Sequence, residues 1–342
     1  MKKDWMIRES ELDDYQHKIL KATLDKSCIV SGCAGSGKSV LALIMAKRIQ
    51  KERSPDYQII VFTKALCRYM NAGRMALGLT KDFTYHYDWV NNRNKPASTY
   101  VIVDEIQDFT KEEIYDFINA TRGYFYFFGD TAQSIYEGIK HPLSIKELSE
   151  MTGISISYLN SNYRLPKPVA KITQEFVAID ANPYAEAIYQ SKETELPRII
   201  RFEDEQSQIE AIIDIVSKKN MKNVGILVPN NDLVLSTMKS FNELQFPCEF
   251  KYNAGYNDKR NRVTLDFTTN IPKLMTYHSA KGLQFETVFL PFYEGATDKE
   301  ARKALYVAMT RTYRYLYVMY SSKTIQEPLN RVPEFLYLKT MI

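Results

Sequence analysis

The feature that most constrains this chain is a repeated alternation. A short apolar run, a polar or glycine-containing turn and a stretch of helical period recur along its length. "SCIVSG" precedes "KSVLALIMAKRIQ", "YQIIVFT" precedes "KALCRYMNAG", and "TYVIVDE" precedes "TKEEIYDFINATR", with "YFYFFGD" next. Strands bounded in this way and alternating with helices build βαβ units and a parallel sheet. After about Leu165 the pattern resumes. "PRIIRF" leads into "QSQIEAIIDIVSKK" and "NVGILVP" into "LVLSTMKSFNELQ"; "KLMTYHSAKG" and "TVFLPF" follow, and a last helix and strand occupy "YVAMTRTYRYLYVMY". The pattern predicts two α/β halves of similar size, joined near "NYRLPKP", where two prolines fall within three residues. At 342 residues, each half can bury its own core.

Composition narrows the partners. Hydrophobic residues make up 45% and charged residues 25%, the balance of a globular protein rather than a disordered or fibrous one. A net charge of +4 gives little general attraction to a polyanion, so any nucleic-acid site has to be local. The stretch from Lys251 to Lys323 holds 12 Lys and Arg against 6 Asp and Glu, an excess larger than that of the whole chain. A solvated basic face and a phosphate-facing surface both fit it. The four cysteines, Cys28, Cys33, Cys67 and Cys248, form no CxxC pair, so neither a metal cluster nor a disulfide framework is expected. No apolar leader or membrane-length run is visible. A reducing, cytoplasmic location is the expectation.

Two stretches carry chemistry. "GCAGSGKS", Gly32 to Ser39, fits G-x-x-x-x-G-K-[ST] between an apolar run and an amphipathic helix. Gly32, Gly35 and Gly37, with Ser36, would let backbone N–H groups turn inward around phosphate oxygens, and the helix N-terminus adds partial positive charge. Lys38 would reach the β/γ-phosphates and Ser39 would ligate Mg²⁺. "VIVDEIQDF" supplies the second half of such a site. Asp104, at the end of a buried strand, would hold Mg²⁺, and Glu105 would orient or deprotonate the attacking water. Gln107 and Asp108 extend the polar cluster.

With these residues in place, the chain resembles the UvrD-like superfamily 1 helicases and translocases. The likeness is an ordered series covering most of the length: Tyr15 and Gln16, then "VFTKAL", "FTYHYDW", "DEIQD", "FGDTAQSIY", "NYR", "HSAKGLQFE" and "YVAMTRT". The resemblance implies two RecA-like P-loop domains, each a largely parallel sheet flanked by helices, over residues 1–165 and 166–342. It implies ATP and Mg²⁺ as cofactors, with ATP between the domains. Gln16 would read adenine, Tyr163 would stack on it, and Gly282 and Gln284 would help bind the nucleotide. Gln133 would sense the γ-phosphate, and Arg164 and Arg311 would reach it from the second domain. Phe62, Thr63, His86, Tyr136 and His278 would meet single-stranded nucleic acid, DNA by resemblance, with RNA open. His278 would brace its loop or meet DNA phosphate, with a simple structural histidine an equal reading, and Phe62 and Tyr136 fit core packing equally well.

The chain departs from the family in three ways. Where the family carries large helical insertions, it has only "VNNRNKPASTY" and "NAGYNDKRNRVTLDFTTNIP". After "SIY" the family's arginine and base-stacking aromatic are replaced by "EGIKHP", with Gly138 near the position of the aromatic. Gln284 stands where a ribose-binding Glu is usual. The expectation is therefore a minimal ATP-driven motor on single-stranded nucleic acid, 3′ to 5′ by resemblance. The rival is an ATP-dependent switch acting on a protein partner such as a nuclease or a repair or defence subunit. In the last motif, the residues around Tyr306 and Met309 are expected to pack and aim Arg311. Tyr313, Tyr315 and Tyr317 are expected on one face of a strand, leaving Arg314 without a role.

Overall fold

The computed structural model describes residues 12–21, 24–53, 55–92, 95–130, 141–178, 188–253 and 262–340. The chain forms two compact units, one built mainly from residues up to Tyr163 and the other mainly from Arg164 onward.

The first unit opens with α1 (Asp14–Lys21), β1 (Cys28–Gly32) and α2 (Lys38–Glu52). Then come β2 (Tyr57–Val61), α3 (Lys64–Leu77), β3 (Phe83–Tyr85), α4 (His86–Val90) and β4 (Ser98–Val103). It closes with α5 (Lys111–Asn119), β5 (Thr121–Gly129), α6 (Ile145–Thr152), β6 (Ile156–Leu159) and the short β7 (Ser161–Asn162). Six of these strands form one sheet in the order β3-β2-β4-β5-β1-β6, and every pairing is parallel. Helices cover such a sheet, so its central strands are buried on both faces and read as continuous apolar runs; all five residues of β2 are buried. Ile60, Val101, Val103 and Phe127 from neighbouring strands pack with Trp89, Phe109 and Phe117. Local signals agree with the ends: Thr63 caps α3, and Thr110 with Glu113 makes a reciprocal capping box on α5.

The second unit contains α7 (Lys167–Ile172), which runs straight into a π-helical turn at Thr173–Val177. β8 (Ile188–Tyr189) falls on the division between the units, and β9 (Arg198–Arg201), α8 (Glu205–Lys218), β10 (Val224–Val228) and α9 (Asn231–Glu243) follow. After them come β11 (Glu249–Tyr252), β12 (Arg262–Val263), β13 (Lys273–Thr276), β14 (Phe285–Leu290), α10 (Lys299–Met309) and β15 (Thr312–Tyr320). The sheet order is β12-β11-β13-β10-β14-β15-β9, parallel except for the β11–β12 pair. Ile226, Leu274, Phe289 and Tyr317 from four adjacent strands meet Ile209, Ile212 and Val216 of α8. The protein is thus an α/β chain of two mostly parallel sheets flanked by helices, the architecture of two RecA-like domains.

The tyrosine-rich end of the chain is scaffold. Tyr317 is buried and stacks on Phe289 with ring centroids 4.7 Å apart. A register shift between β14 and β15 places Phe285 opposite Thr312 but Thr287 opposite Tyr315, so a single uninterrupted alternation from Tyr313 is not kept. Arg314 bonds Glu286 at 3.1 Å, lies 3.7 Å from Glu193 and covers the Tyr315 ring.

Candidate nucleotide site

The glycine-rich loop from Gly32 to Ser39 sits where β1 gives way to α2. Gly32 has no room for a side chain: a β-carbon there would come within 2.4 Å of Ser36 Oγ and 2.9 Å of Leu159 Cβ. Gly37 has φ of 89°, a left-handed backbone that glycine adopts at little cost, and a β-carbon there would meet Gln16 Nε2 at 2.7 Å. Gly35 is also left-handed, at φ 80°. The buried Lys38 Nζ donates to the carbonyls of Gly32 (2.7 Å) and Cys33 (3.2 Å) and lies 3.9 Å from Asp130 Oδ2. Ser36 Oγ is buried with no hydrogen-bond partner among the described residues.

The second strand end brings the carboxylates. Asp104 follows β4, and its Oδ2 accepts from Ser39 Oγ at 2.6 Å. Burial, and next the charge of Glu105, pushes the Asp104 carboxyl above the usual carboxylate range, while the Ser39 hydroxyl and the Lys38 ammonium pull the other way. Glu105 is buried and left-handed, with φ 59° and ψ 41°. That conformation is uncommon outside glycine and recurs at functional sites. Its Oε2 accepts from Gln107 Nε2 at 2.6 Å.

A third cluster surrounds the loop. Asp13 and Gln16 cap α1 reciprocally: the Asp13 N–H donates to Gln16 Oε1 at 3.0 Å, and the Gln16 N–H to Asp13 Oδ1 at 2.6 Å. Gln16 Nε2 donates to the Ser36 carbonyl at 2.9 Å. The Tyr163 N–H donates to the Gly35 carbonyl at 3.1 Å, and its hydroxyl donates to Asp13. Burial, and next the Asp13 hydrogen bond, pushes that hydroxyl up to about 12, so it stays a donor at neutral pH. Gln16, Gly32, Gly35, Ser36, Gly37, Lys38, Ser39, Asp104, Glu105 and Tyr163 therefore form one linked site in the first unit.

These residues fit a magnesium nucleotide. The loop has glycines where side chains would clash, a buried ammonium, and a buried hydroxyl without a partner among the described residues. Ser39 and Asp104 offer the one hydroxyl and one carboxylate with which Mg²⁺ is often held, the rest of its shell being water and phosphate.

Other expected residues belong to the second unit or to other parts of the first. In the second unit, Arg311 is 1% exposed, and its guanidinium donates to Val307 O (2.8 Å), Leu283 O (3.4 Å) and Thr310 Oγ1 (3.0 Å). It thereby grips the loop containing Gly282 (φ 79°) and the half-buried Gln284. Arg164 is half-buried and opens the second unit. His278 starts a 3₁₀ turn; burial, and next Lys281, lowers its pKa. Phe62, Thr63 and His86 do come together, at the ends of β2 and β3, but they are engaged internally. The Phe62 and His86 rings stack at 4.6 Å, both are buried, and Thr63 Oγ1 accepts from the Leu66 N–H. Gln133 and Tyr136 lie outside the described residues.

The basic excess from Lys251 to Lys323 is partly interior. Lys281, Lys303 and Arg311 are buried, Lys273 pairs with Glu249 at 2.9 Å, and Arg302 donates to carbonyls of Phe176, Val177 and Ala178. Sequence reasoning missed three participants: Asp13, Asp130 and the bridging role of Gln107. Asp13 had a signal, since D-x-x-Q ahead of a helix has capping-box spacing. The other two depend on how β4 and β5 align.

The family profile of the viral superfamily 1 RNA helicase core domain matches residues 28–209, more than half of the chain. The chain belongs to this superfamily 1 helicase family. A second profile, the UvrD-like helicase C-terminal domain, matches residues 274–319 of the helicase core. Among solved structures, the C-terminal domain of a possible DNA helicase from Lactobacillus plantarum WCFS1 aligns at 14% identity and TM-score 0.37, over 52% of this chain and 97% of that one. The Arterivirus nonstructural protein 10 (helicase) aligns at 16% identity and TM-score 0.46, over 86% of this chain. The helicase core spans 59% of that viral chain. No curated protein sequence matches it. No described helix is long and apolar enough to cross a membrane.

Proposed function

We propose that this helicase core is a Mg²⁺-dependent ATPase whose hydrolysis drives movement along single-stranded nucleic acid, a motor reduced to two RecA-like domains over residues 1–165 and 166–342. The observation that carries the reading is the buried Lys38 in its glycine loop next to the Ser39–Asp104 hydrogen bond, with the buried Glu105 following Asp104. Bound Mg²⁺ would offset phosphate charge. Lys38 would exchange its loop carbonyls for phosphate oxygens. Ser39 and Asp104 would hold the metal, and Glu105 would orient water and take its proton. Arg164 and Arg311 would stabilise charge on the transferred phosphoryl group, with Gln133 as sensor and 3′ to 5′ as the direction. Arg311 must leave some of its present carbonyl partners to do so.

The test is the ATP hydrolysis rate with and without single-stranded DNA or RNA, followed by strand displacement on tailed duplexes. Strong stimulation supports the motor and ranks the two nucleic acids. A second reading is an ATP-driven switch acting on a protein partner. The packing of Phe62 against His86 favours it, because base stacking needs an open ring face. Hydrolysis that ignores nucleic acid would select the switch.

A further inference from the structure

Gln107 occupies an unusual place. It is 2% exposed, two residues beyond Glu105, in a single 3₁₀ turn at Ile106–Asp108. Its Nε2 donates to Glu105 Oε2 at 2.6 Å, and its Oε1 accepts from the Asp130 N–H at 2.8 Å. The amide orientation is forced by chemistry: a backbone N–H can only donate, so the atom facing Asp130 is the oxygen and the amino group faces the carboxylate. Gly129 makes the approach possible, since a β-carbon there would lie 2.6 Å from Gln107 Oε1. The same strand end carries the Asp130 carboxylate, 3.9 Å from Lys38 Nζ.

We infer that Gln107 is a positioning residue that holds the Glu105 carboxylate in its working orientation and ties it to the Gly129–Asp130 end of β5. Glu105 has a left-handed backbone, a conformation that persists only where the surroundings hold it. A donated hydrogen bond fixes one carboxylate oxygen in place. Because Asp130 neighbours Lys38, the end of β5 links the two halves of the site through one peptide unit and one side chain. The inference rests on the proposed role of Glu105 as the base.

The experiment measures kcat, KM for ATP, affinity for a fluorescent ATP analogue and melting temperature for the full chain and for Gln107→Met, Gln107→Glu and Glu105→Gln. Methionine keeps the shape and loses both bonds; glutamate keeps an acceptor for Asp130 and loses the amide donor to Glu105. The expected result is a kcat lowered roughly 10- to 100-fold in both Gln107 variants, the range typical when a supporting hydrogen bond to a working group is removed. Nucleotide affinity should stay unchanged. Wild-type kcat in Gln107→Met overturns the inference, as does wild-type kcat in Gln107→Glu, which would leave the amide serving Asp130 alone. A loss shared equally with nucleotide affinity or melting temperature also overturns it, as packing. Should Gln107→Met fold poorly, Gln107→Glu decides. Full turnover by Glu105→Gln would instead remove the base assignment, a failure recognisable by that variant alone.

Discussion

In the first unit the buried Lys38 lies between two loop carbonyls and the Asp130 carboxylate, and Ser39 faces Asp104. In the second, Arg311 and Arg302 turn their guanidinium groups on main-chain carbonyls at helix ends and loops. The difference separates two uses of charge. The first set gathers a cation, a hydroxyl and carboxylates around one loop, where a phosphate or a metal could engage them. The second set braces the backbone: Arg302 satisfies carbonyls where the π-helical turn ends, and Arg311 satisfies those of α10 and the Leu283 loop. Arginines in the second unit therefore carry stability, and Arg311 is expected to carry both stability and chemistry.

Arg311→Ala gives the largest expected effect. Turnover should fall on the order of 10³- to 10⁵-fold with nucleotide binding kept, as for loss of a transition-state arginine. Stability should drop by about 1–3 kcal/mol as buried carbonyls lose their donor, read by denaturant unfolding. A variant that loses turnover at full stability would break the comparison. Lys38→Ala should lower turnover by on the order of 10²–10³ and lower the melting temperature too, because the buried Asp130 carboxylate loses the cation beside it. Turnover kept near that of the parent would remove Lys38 from the site. Arg302→Ala should cost about 1–2 kcal/mol through the lost helix-end cation, seen as a melting point lower by a few degrees. Arg314→Ala comes last: its pairs with Glu286 and Glu193 are solvent-screened, so the loss should stay below about 1 kcal/mol and shrink further in high salt. Unfolding curves at two salt concentrations check this.

Much of this was legible in the chain. The apolar runs around Ile60, Val101 and Ile226 are strands because parallel sheets bury both faces, and that leaves a mark in the order of residues. The shape of the loop from Gly32 to Ser39 was legible because left-handed backbone and close approach are local, and both are written in glycines. What was hidden depends on alignment between distant strands. Gln107 meets Asp130 only because β4 and β5 pair with Val103 opposite Phe127, which brings the two strand ends level. Phe62 and His86 looked available as stacking surfaces because residue type does not reveal which neighbour covers a ring. Arg314, without a role in the sequence, gained one when Glu286 and Glu193 came within reach from elsewhere in the fold.

The contact between Tyr163 and Gly35 has a mechanical meaning. Tyr163 is the last residue of the first unit's main run, and its amide hangs on the phosphate loop. Tension in the chain beyond that residue would load this N–H hydrogen bond and the contact of the Tyr163 hydroxyl with Asp13. The loop is thus the anchorage of the tether. Deuterium exchange at that single amide, followed with and without nucleotide, would act as a strain gauge on it.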